Sequence, residues 1–198
     1  MSEIHYAAQG AEAGSARRAM IESQLRTSGV NEPTVLAAMA AVAREDFVPE
    51  AHRSAAYIDR ALPLGNGRAI PAPLYAGKAL AAAEATPADN ALVVTAGSDY
   101  LAQVASRLVG SLTTVDAADL AITGTYSLIL VDGAAQIVPE ALTNALAEGG
   151  RIVTGLVEKG ISRLAIGRKI GGTVSYLPLG ELGIPAIPDF AAPKRWSF

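Results

Sequence analysis

Three short apolar runs, Ala91 to Ala96, Leu112 to Asp116 and Tyr126 to Asp132, decide what this chain can fold into, and the links between them set the limits. Continuous runs of valine, leucine and isoleucine that alternate with helical segments read as strands of a mainly parallel sheet covered on both faces. The first two runs bracket a helix over Asp99 to Val109, with Leu101, Val104, Ala105 and Leu108 on one face, as a parallel crossover requires. The second and third runs are joined only by Ala117 to Thr125, nine residues. A further helix and strand with their loops would take about 25 residues. Nine residues reach roughly 30 Å when extended, enough to run back along a short strand and pass beneath its neighbour. The sheet can therefore close with no further helix and strand in that link, and Leu112 to Asp116 becomes its edge. Leu112-Thr113-Thr114-Val115 carries no charge to discourage pairing with another chain.

The remaining segments complete an α/β architecture with a helical N-terminal extension. Residues 1 to 15 are small and polar and read as a loose or helical arm. Met20, Ile21, Gln24 and Leu25 then recur at helical spacing, and Gly29 ends that helix. Asn31 is expected to cap a second helix with Pro33 in its first turn and a stripe of Val35, Leu36, Met39 and Val42. Arg44 to Ile70 reads as loops with one short helix near Ala51 to Ala56, and an alanine-rich helix follows from about Leu74 to Ala85. After the third strand come a helix over Pro139 to Ala147, closed by Gly149-Gly150, and strands at Arg151 to Val157, Ser162 to Arg168 and Thr173 to Leu177. The last of these form an antiparallel pair at the C-terminal edge. Pro185 to Phe198 is proline-rich and expected to be extended, with Trp196 and Phe198 docking the tail. The expected division is a helical and loop region at 1–73 packed on an α/β domain at 74–198.

Composition removes several function classes. The formal net charge is −3 and the lysines and arginines are scattered, which gives no footprint for a nucleic-acid backbone. The chain has no cysteine and two histidines, His5 and His52, so neither a zinc set nor a Cys-His nucleophile pair can be assembled. No apolar run is long enough to span a bilayer and no basic-then-apolar leader opens the chain, so a cytoplasmic protein with no membrane partner is expected.

Specific motifs lie in the N-terminal third: Met20-Ile21-Glu22-Ser23-Gln24-Leu25-Arg26, then Arg44-Glu45-Asp46-Phe47-Val48-Pro49, Ala56-Tyr57, Asp59 and Leu62-Pro63-Leu64-Gly65-Asn66-Gly67. On these the chain resembles the protein-L-isoaspartate O-methyltransferase family. The resemblance is weak at the first strand and firm again from Tyr126 to Val153, with Pro139-Glu140-Ala141-Leu142 and Glu148-Gly149-Gly150-Arg151, and it includes Pro188-Asp189-Phe190 and Pro193 in the tail. It implies a Rossmann-like sheet of the S-adenosylmethionine-dependent methyltransferase type, over 74–198, that here lacks about one strand and one helix. It also implies an ancestral reaction, methylation of isoaspartyl carboxylates in damaged proteins.

Four positions bear on whether that reaction survives. A glycine turn between strand and helix lets backbone approach a nucleotide-like cofactor, and here the turn reads Val93-Val94-Thr95-Ala96-Gly97-Ser98-Asp99-Tyr100. Gly97 alone remains of the family's glycines, Val93 stands where the family has an acid, and Asp99 is placed to cap the helix itself; Gly97 and Ser98 are nonetheless the candidate cofactor contacts. Asp116 matches the family's ribose-binding carboxylate, while an Asp at a strand end is equally an ordinary turn starter. The short connector removes the loop that supplies one wall of the adenine pocket. On the substrate side, Gly65, Gly67 and Arg68 are the candidate contacts, but the family's hydroxyl run is replaced by Arg68-Ala69-Ile70-Pro71-Ala72-Pro73. Pro71, at the hydroxyl position, has neither a side-chain donor nor an N–H, so no catalytic residue is assigned. Arg68 is read either as a partner for a substrate carboxylate or as a solvated surface arginine. Asp132, at the carboxyl end of the third strand, is a further candidate cofactor contact or else a strand-end acid facing water.

Two functions remain open from these residues. One is a shortened isoaspartyl methyltransferase using S-adenosylmethionine on a damaged protein or peptide, with weak or absent activity. The other is a non-catalytic binding or assembly module with no cofactor, for which homodimerisation through the uncharged edge strand is one concrete form.

Overall fold

The computed structural model describes residues 12–193; the arm before residue 12, and Trp196 and Phe198, lie outside the described residues. The central sheet has six strands in the order β4-β3-β5-β6-β7-β8: β3 (Asn90–Thr95), β4 (Ser111–Asp116), β5 (Tyr126–Ala135), β6 (Leu146–Glu158), β7 (Ile161–Ile170) and β8 (Thr173–Glu181). β3, β4, β5 and β6 run parallel, and β7 and β8 add an antiparallel end. Residues of β3 alternate between two cores, as the period of two demands. Ala91 and Val93 face one core, which holds Leu128, Leu130, Val153 and the residues of α2 (Pro33–Ala41), α3 (Pro73–Ala83) and α4 (Tyr100–Ala105). Leu92 and Val94 face the other, with Ile129, Val131, Ile152, Leu142 of α5 (Glu140–Ala145), and Ile187 and Phe190 of the tail.

The nine-residue connector behaves as its length requires. Asp116 ends β4, the chain turns at Ala117 to Asp119, and Leu120 and Ile122 pack from below onto the second core before Tyr126 starts β5. β4 is hydrogen-bonded to β3 alone and is the edge of the sheet, as expected.

Local boundaries differ from the sequence reading in several places. The first helix, α1 (12–20), relaxes into a π turn at Ile21–Leu25 and a 3₁₀ turn at Arg26–Ser28 before Gly29 ends it at φ +89°. Glu32, not Asn31, occupies the cap position of α2, and no side chain caps it. Pro33 at the first helical position already removes one of the amides a cap would have served. Arg44 to Ile70 is not simply loop. It holds 3₁₀ turns at Arg44–Phe47 and Glu50–Ala55, then an antiparallel hairpin of β1 (Leu62–Gly65) and β2 (Arg68–Ile70). Gly149-Gly150 does not close α5: the helix stops at Ala145, and the two glycines lie within β6 where its register against β5 shifts.

The N-terminal motifs are tied together by a polar network. The Arg17 guanidinium donates to Tyr57 Oη at 2.7 Å and pairs with Glu45 at 3.1 Å, and Tyr57 Oη donates to Glu45. Burial, followed by the bond to Glu45, pushes the Tyr57 hydroxyl well above its ordinary pKa, so it stays a neutral donor.

Candidate functional site

The carboxyl ends of β3, β4 and β5 face the β1–β2 hairpin and the C-terminal tail, and all the candidate site residues gather there. Gly97 follows β3 at φ +99°, a conformation costly to any residue with a Cβ. A Cβ at that position would sit 3.4 Å from Leu64 Cδ1 and 3.7 Å from Arg68 Cδ, so the hairpin's side chains lie directly over the turn. Ser98 Oγ accepts the Tyr100 amide at 3.3 Å. Asp99 makes no capping bond, contrary to the sequence reading, because its φ of −93° and ψ of 9° depart from the extended geometry that aims a cap's side chain back at the helix.

Asp116 serves two partners. One carboxylate oxygen accepts the Ala118 amide at 2.9 Å, which makes it the turn starter, and both oxygens accept from Arg68 Nη1 at 3.0 and 3.1 Å. The Ala118 amide, and after it the Arg68 guanidinium, hold the carboxyl below the ordinary aspartate range. Arg68 Nη2 donates at 2.7 Å to Asp189, in the 3₁₀ turn Pro188–Phe190. Arg68 is therefore not a solvated surface arginine. Its side chain is 19% exposed and clamped between two carboxylates.

The tail is fastened over this arrangement by its backbone. Ala134 donates to Pro185 O at 2.9 Å and accepts from the Ile187 amide at 2.8 Å, and Phe190 O accepts the amides of Gln136 and Ile137, each at 3.1 Å. Gly133, at φ +156°, permits the approach: a Cβ there would lie 2.6 Å from Ile187 Cγ1. Gly65 and Gly67 take positive φ on either side of Asn66, at φ +51°, in the hairpin turn, and a Cβ on Gly67 would touch Pro188 Cγ at 3.5 Å.

Asp132 does not face water. It is 4% exposed, on the same side of the sheet ends as buried Arg44 and Tyr100. Burial raises its carboxyl to about 7, with Arg44 opposing the rise and Asp99 adding to it. The Arg44 guanidinium lies 4.8 Å from the Tyr100 ring centroid and donates to Ala56 O at 2.8 Å and to Pro71 O at 2.6 Å. Tyr100 Oη is buried with no hydrogen-bond partner among the described residues. Pro71 is itself buried and contributes its carbonyl to Arg44.

Of the expected cofactor-side residues Gly97, Ser98, Asp116 and Asp132 and the expected substrate-side residues Gly65, Gly67 and Arg68, the fold brings Arg68 onto Gly97 and Asp116, while Asp132 is buried in β5. Leu64, Asp189 and Arg44, none of them among the expected contacts, also belong to this arrangement: Leu64 lies on Gly97, Asp189 pairs with Arg68, and the charge of Arg44 acts on Asp132. Leu64 could have been found, because Asn66-Gly67 between two short strand-forming runs is a hairpin signal that aims the strands at a common neighbour. Nothing local marks Asp189 as a partner of Arg68, since 121 positions separate them.

A family model described as protein-L-isoaspartate(D-aspartate) O-methyltransferase matches residues 15–122, more than half of the chain. The chain belongs to the protein-L-isoaspartate O-methyltransferase family. It is 38% identical over 165 residues to a protein-L-isoaspartate O-methyltransferase of Roseiflexus sp. (strain RS-1), covering 69% of this chain and 75% of that one. Against the Koribacter versatilis protein of the same name it is 32% identical over 193 residues, with 83% and 87% covered. Among solved structures it is similar to a Plasmodium falciparum beta-aspartate methyltransferase in complex with S-adenosyl-L-homocysteine. The TM-score is 0.72 at 18% identity, covering 87% of this chain and 98% of that one, which is a likeness of fold.

Proposed function

We propose that this member of the protein-L-isoaspartate O-methyltransferase family has weak or no S-adenosylmethionine-dependent methylation of isoaspartyl carboxylates in damaged proteins. The observation that carries the reading is the double hydrogen bond from Arg68 Nη1 to Asp116, the acid at the family's ribose position. A carboxylate that gives three of its roughly four lone-pair sites to a guanidinium and a backbone amide keeps little capacity for the two hydroxyls of a sugar diol. The residues in this arrangement do not fit the cofactor: Gly97 lies under Leu64 and Arg68, and the nine-residue connector leaves no loop for an adenine wall. On the substrate side, Pro71 offers no donor to the carboxyl to be methylated.

The test is calorimetric titration of the full chain with S-adenosylhomocysteine, alongside release of labelled methanol from an isoaspartyl peptide. The expected result is no measurable heat at millimolar ligand and no methanol above background. Micromolar binding or robust release would refute the proposal.

A second reading is favoured by β4. Its one free edge is uncharged from Ser111 to Val115, an arrangement that suits strand pairing with a second copy. A non-catalytic module that dimerises through β4 should show a concentration-dependent mass by light scattering, and a strictly monomeric mass at high concentration would eliminate it.

A further inference from the structure

Resting on the reading of a weakened cofactor site, we infer that Arg68 is the affinity-determining residue of that site: its guanidinium occupies the ribose carboxylate Asp116 as an internal competitor, and Asp189 of the tail holds it there. Three observations on different parts of the chain converge. Arg68 Nη1 meets both oxygens of Asp116 at 3.0 and 3.1 Å. Arg68 Nη2 meets Asp189 at 2.7 Å, and the turn carrying Asp189 is fixed by backbone bonds of Pro185 and Ile187 to β5 and of Phe190 to Gln136 and Ile137 just after it. The stem of the same side chain, with Leu64, lies over Gly97, the one glycine left in the turn where a cofactor's chain would approach.

An arginine that bridges two carboxylates in a planar fork is held more firmly than either single pair would hold it. A diol offers Asp116 only neutral hydrogen bonds, so Arg68 wins the competition in the resting chain. This differs from simple decay of the pocket, because the acid and the glycine turn are still present and are covered. Decay predicts that removing Arg68 changes nothing. Competition predicts that removing it exposes a residual site.

The competition also has an ionic signature. Asp116 is 45% exposed at its side chain and Asp189 29%, so salt screens both pairs with Arg68. It leaves the neutral ribose contact nearly untouched. For an ordinary site, high salt leaves the affinity flat or weakens it; here affinity should rise with salt.

The experiment titrates S-adenosylhomocysteine into the full-length wild type, Arg68→Ala and Asp189→Asn by calorimetry, at low salt and at 1 M NaCl, with cooperative thermal unfolding as the folding control. The expected result is a silent wild type at low salt, an affinity at least tenfold higher in Arg68→Ala, and a smaller gain in Asp189→Asn, where one anchor remains. A folded Arg68→Ala that stays as silent as wild type overturns the competition while leaving the weak-site reading intact. Micromolar binding by the wild type at low salt overturns the weak-site reading, and the competition falls with it. Should Arg68→Ala fail to fold, Asp189→Asn and the salt series decide. Binding that does not improve in either overturns the inference.

Discussion

Replacing Asp132 by Asn should stabilise the protein at pH 8 and fail to do so at pH 4. In the folded chain burial raises this carboxyl from 3.8 to about 7, against the opposing charge of Arg44 and with Asp99 adding to the rise. An acid with a raised folded pKa stays protonated in the fold over the range in which the unfolded chain has already ionised. The unfolded state then binds fewer protons, so this group's contribution falls as pH rises from about 4 to about 7 and levels off above. The span between those two values corresponds to about 4 kcal/mol. Asparagine keeps the shape and never ionises, so it removes that penalty, while its amide hydrogens cost about 1–2 kcal/mol if no acceptor meets them. The net expectation is a gain of about 2 kcal/mol at pH 8 and a loss of about 1–2 kcal/mol at pH 4. Urea unfolding of both proteins at pH 4, 6 and 8 reads this directly. A substitution effect that is the same at pH 4 and pH 8 would refute the reasoning, because it would mean that the carboxyl ionises in the fold as it does in the unfolded chain.

Other outcomes follow from single contacts. Asp89 is 7% exposed and accepts from Arg151 at 2.9 and 2.8 Å, from Ser127 at 2.7 Å and from the Thr86 amide at 2.9 Å. Asp89→Ala strands the Arg151 charge and should cost about 3 kcal/mol in chemical unfolding. The Arg151 bonds hold the Asp89 carboxyl well below its ordinary range, so its contribution is present above about pH 4 and is lost as pH falls below that; an acid titration of stability should lose this component in Asp89→Asn. Gly133→Ala drives a Cβ against Ile187 and should cost about 1–3 kcal/mol, with amide exchange rising first at Ile187 and Phe190. If β4 pairs between copies, Thr114→Lys should abolish any concentration-dependent mass while leaving the unfolding midpoint within about 1 °C.

The parallel strands were legible because each is a continuous apolar run, and a strand buried on both faces needs no more specific signal. Val93 and Val94 illustrate it: neighbours in sequence, both fully buried, one in each core. The edge position of β4 was legible from length alone. Less legible were features set by distant residues. β5 reads as ending at Asp132 because Asp-Gly is a turn signal, but the strand continues to Ala135, where the tail pairs with it and Gly133 leaves room for Ile187. The burial of Asp132 follows from α4 and from Arg44, 88 positions earlier in the chain, and no local pattern announces either. The fate of Arg68 was the hardest to read, since one of its partners is supplied by the sheet edge and the other by the tail.

The short connector and the pairing of Asp116 with Arg68 meet at the end of β4. In a sheet that continued past β4, Asp116 would end an interior strand, with a further loop beside it. Among the described residues no strand lies beyond β4, the chain turns at once through the Ala118 amide, and the Asp116 side chain is left 45% exposed. An exposed carboxylate at an edge attracts whatever cation can reach it with a low entropic cost. Arg68 satisfies that condition because β2 is pinned to β1 and Asp189 already orients its fork, so little rotamer freedom is lost in closing the second pair. On the proposed reading, the short connector both leaves the acid to the hairpin and makes β4 an edge that a second chain could use. Restoring cofactor affinity by Arg68→Ala and blocking self-pairing by Thr114→Lys are for this reason independent substitutions with a common origin, and their effects should add when combined.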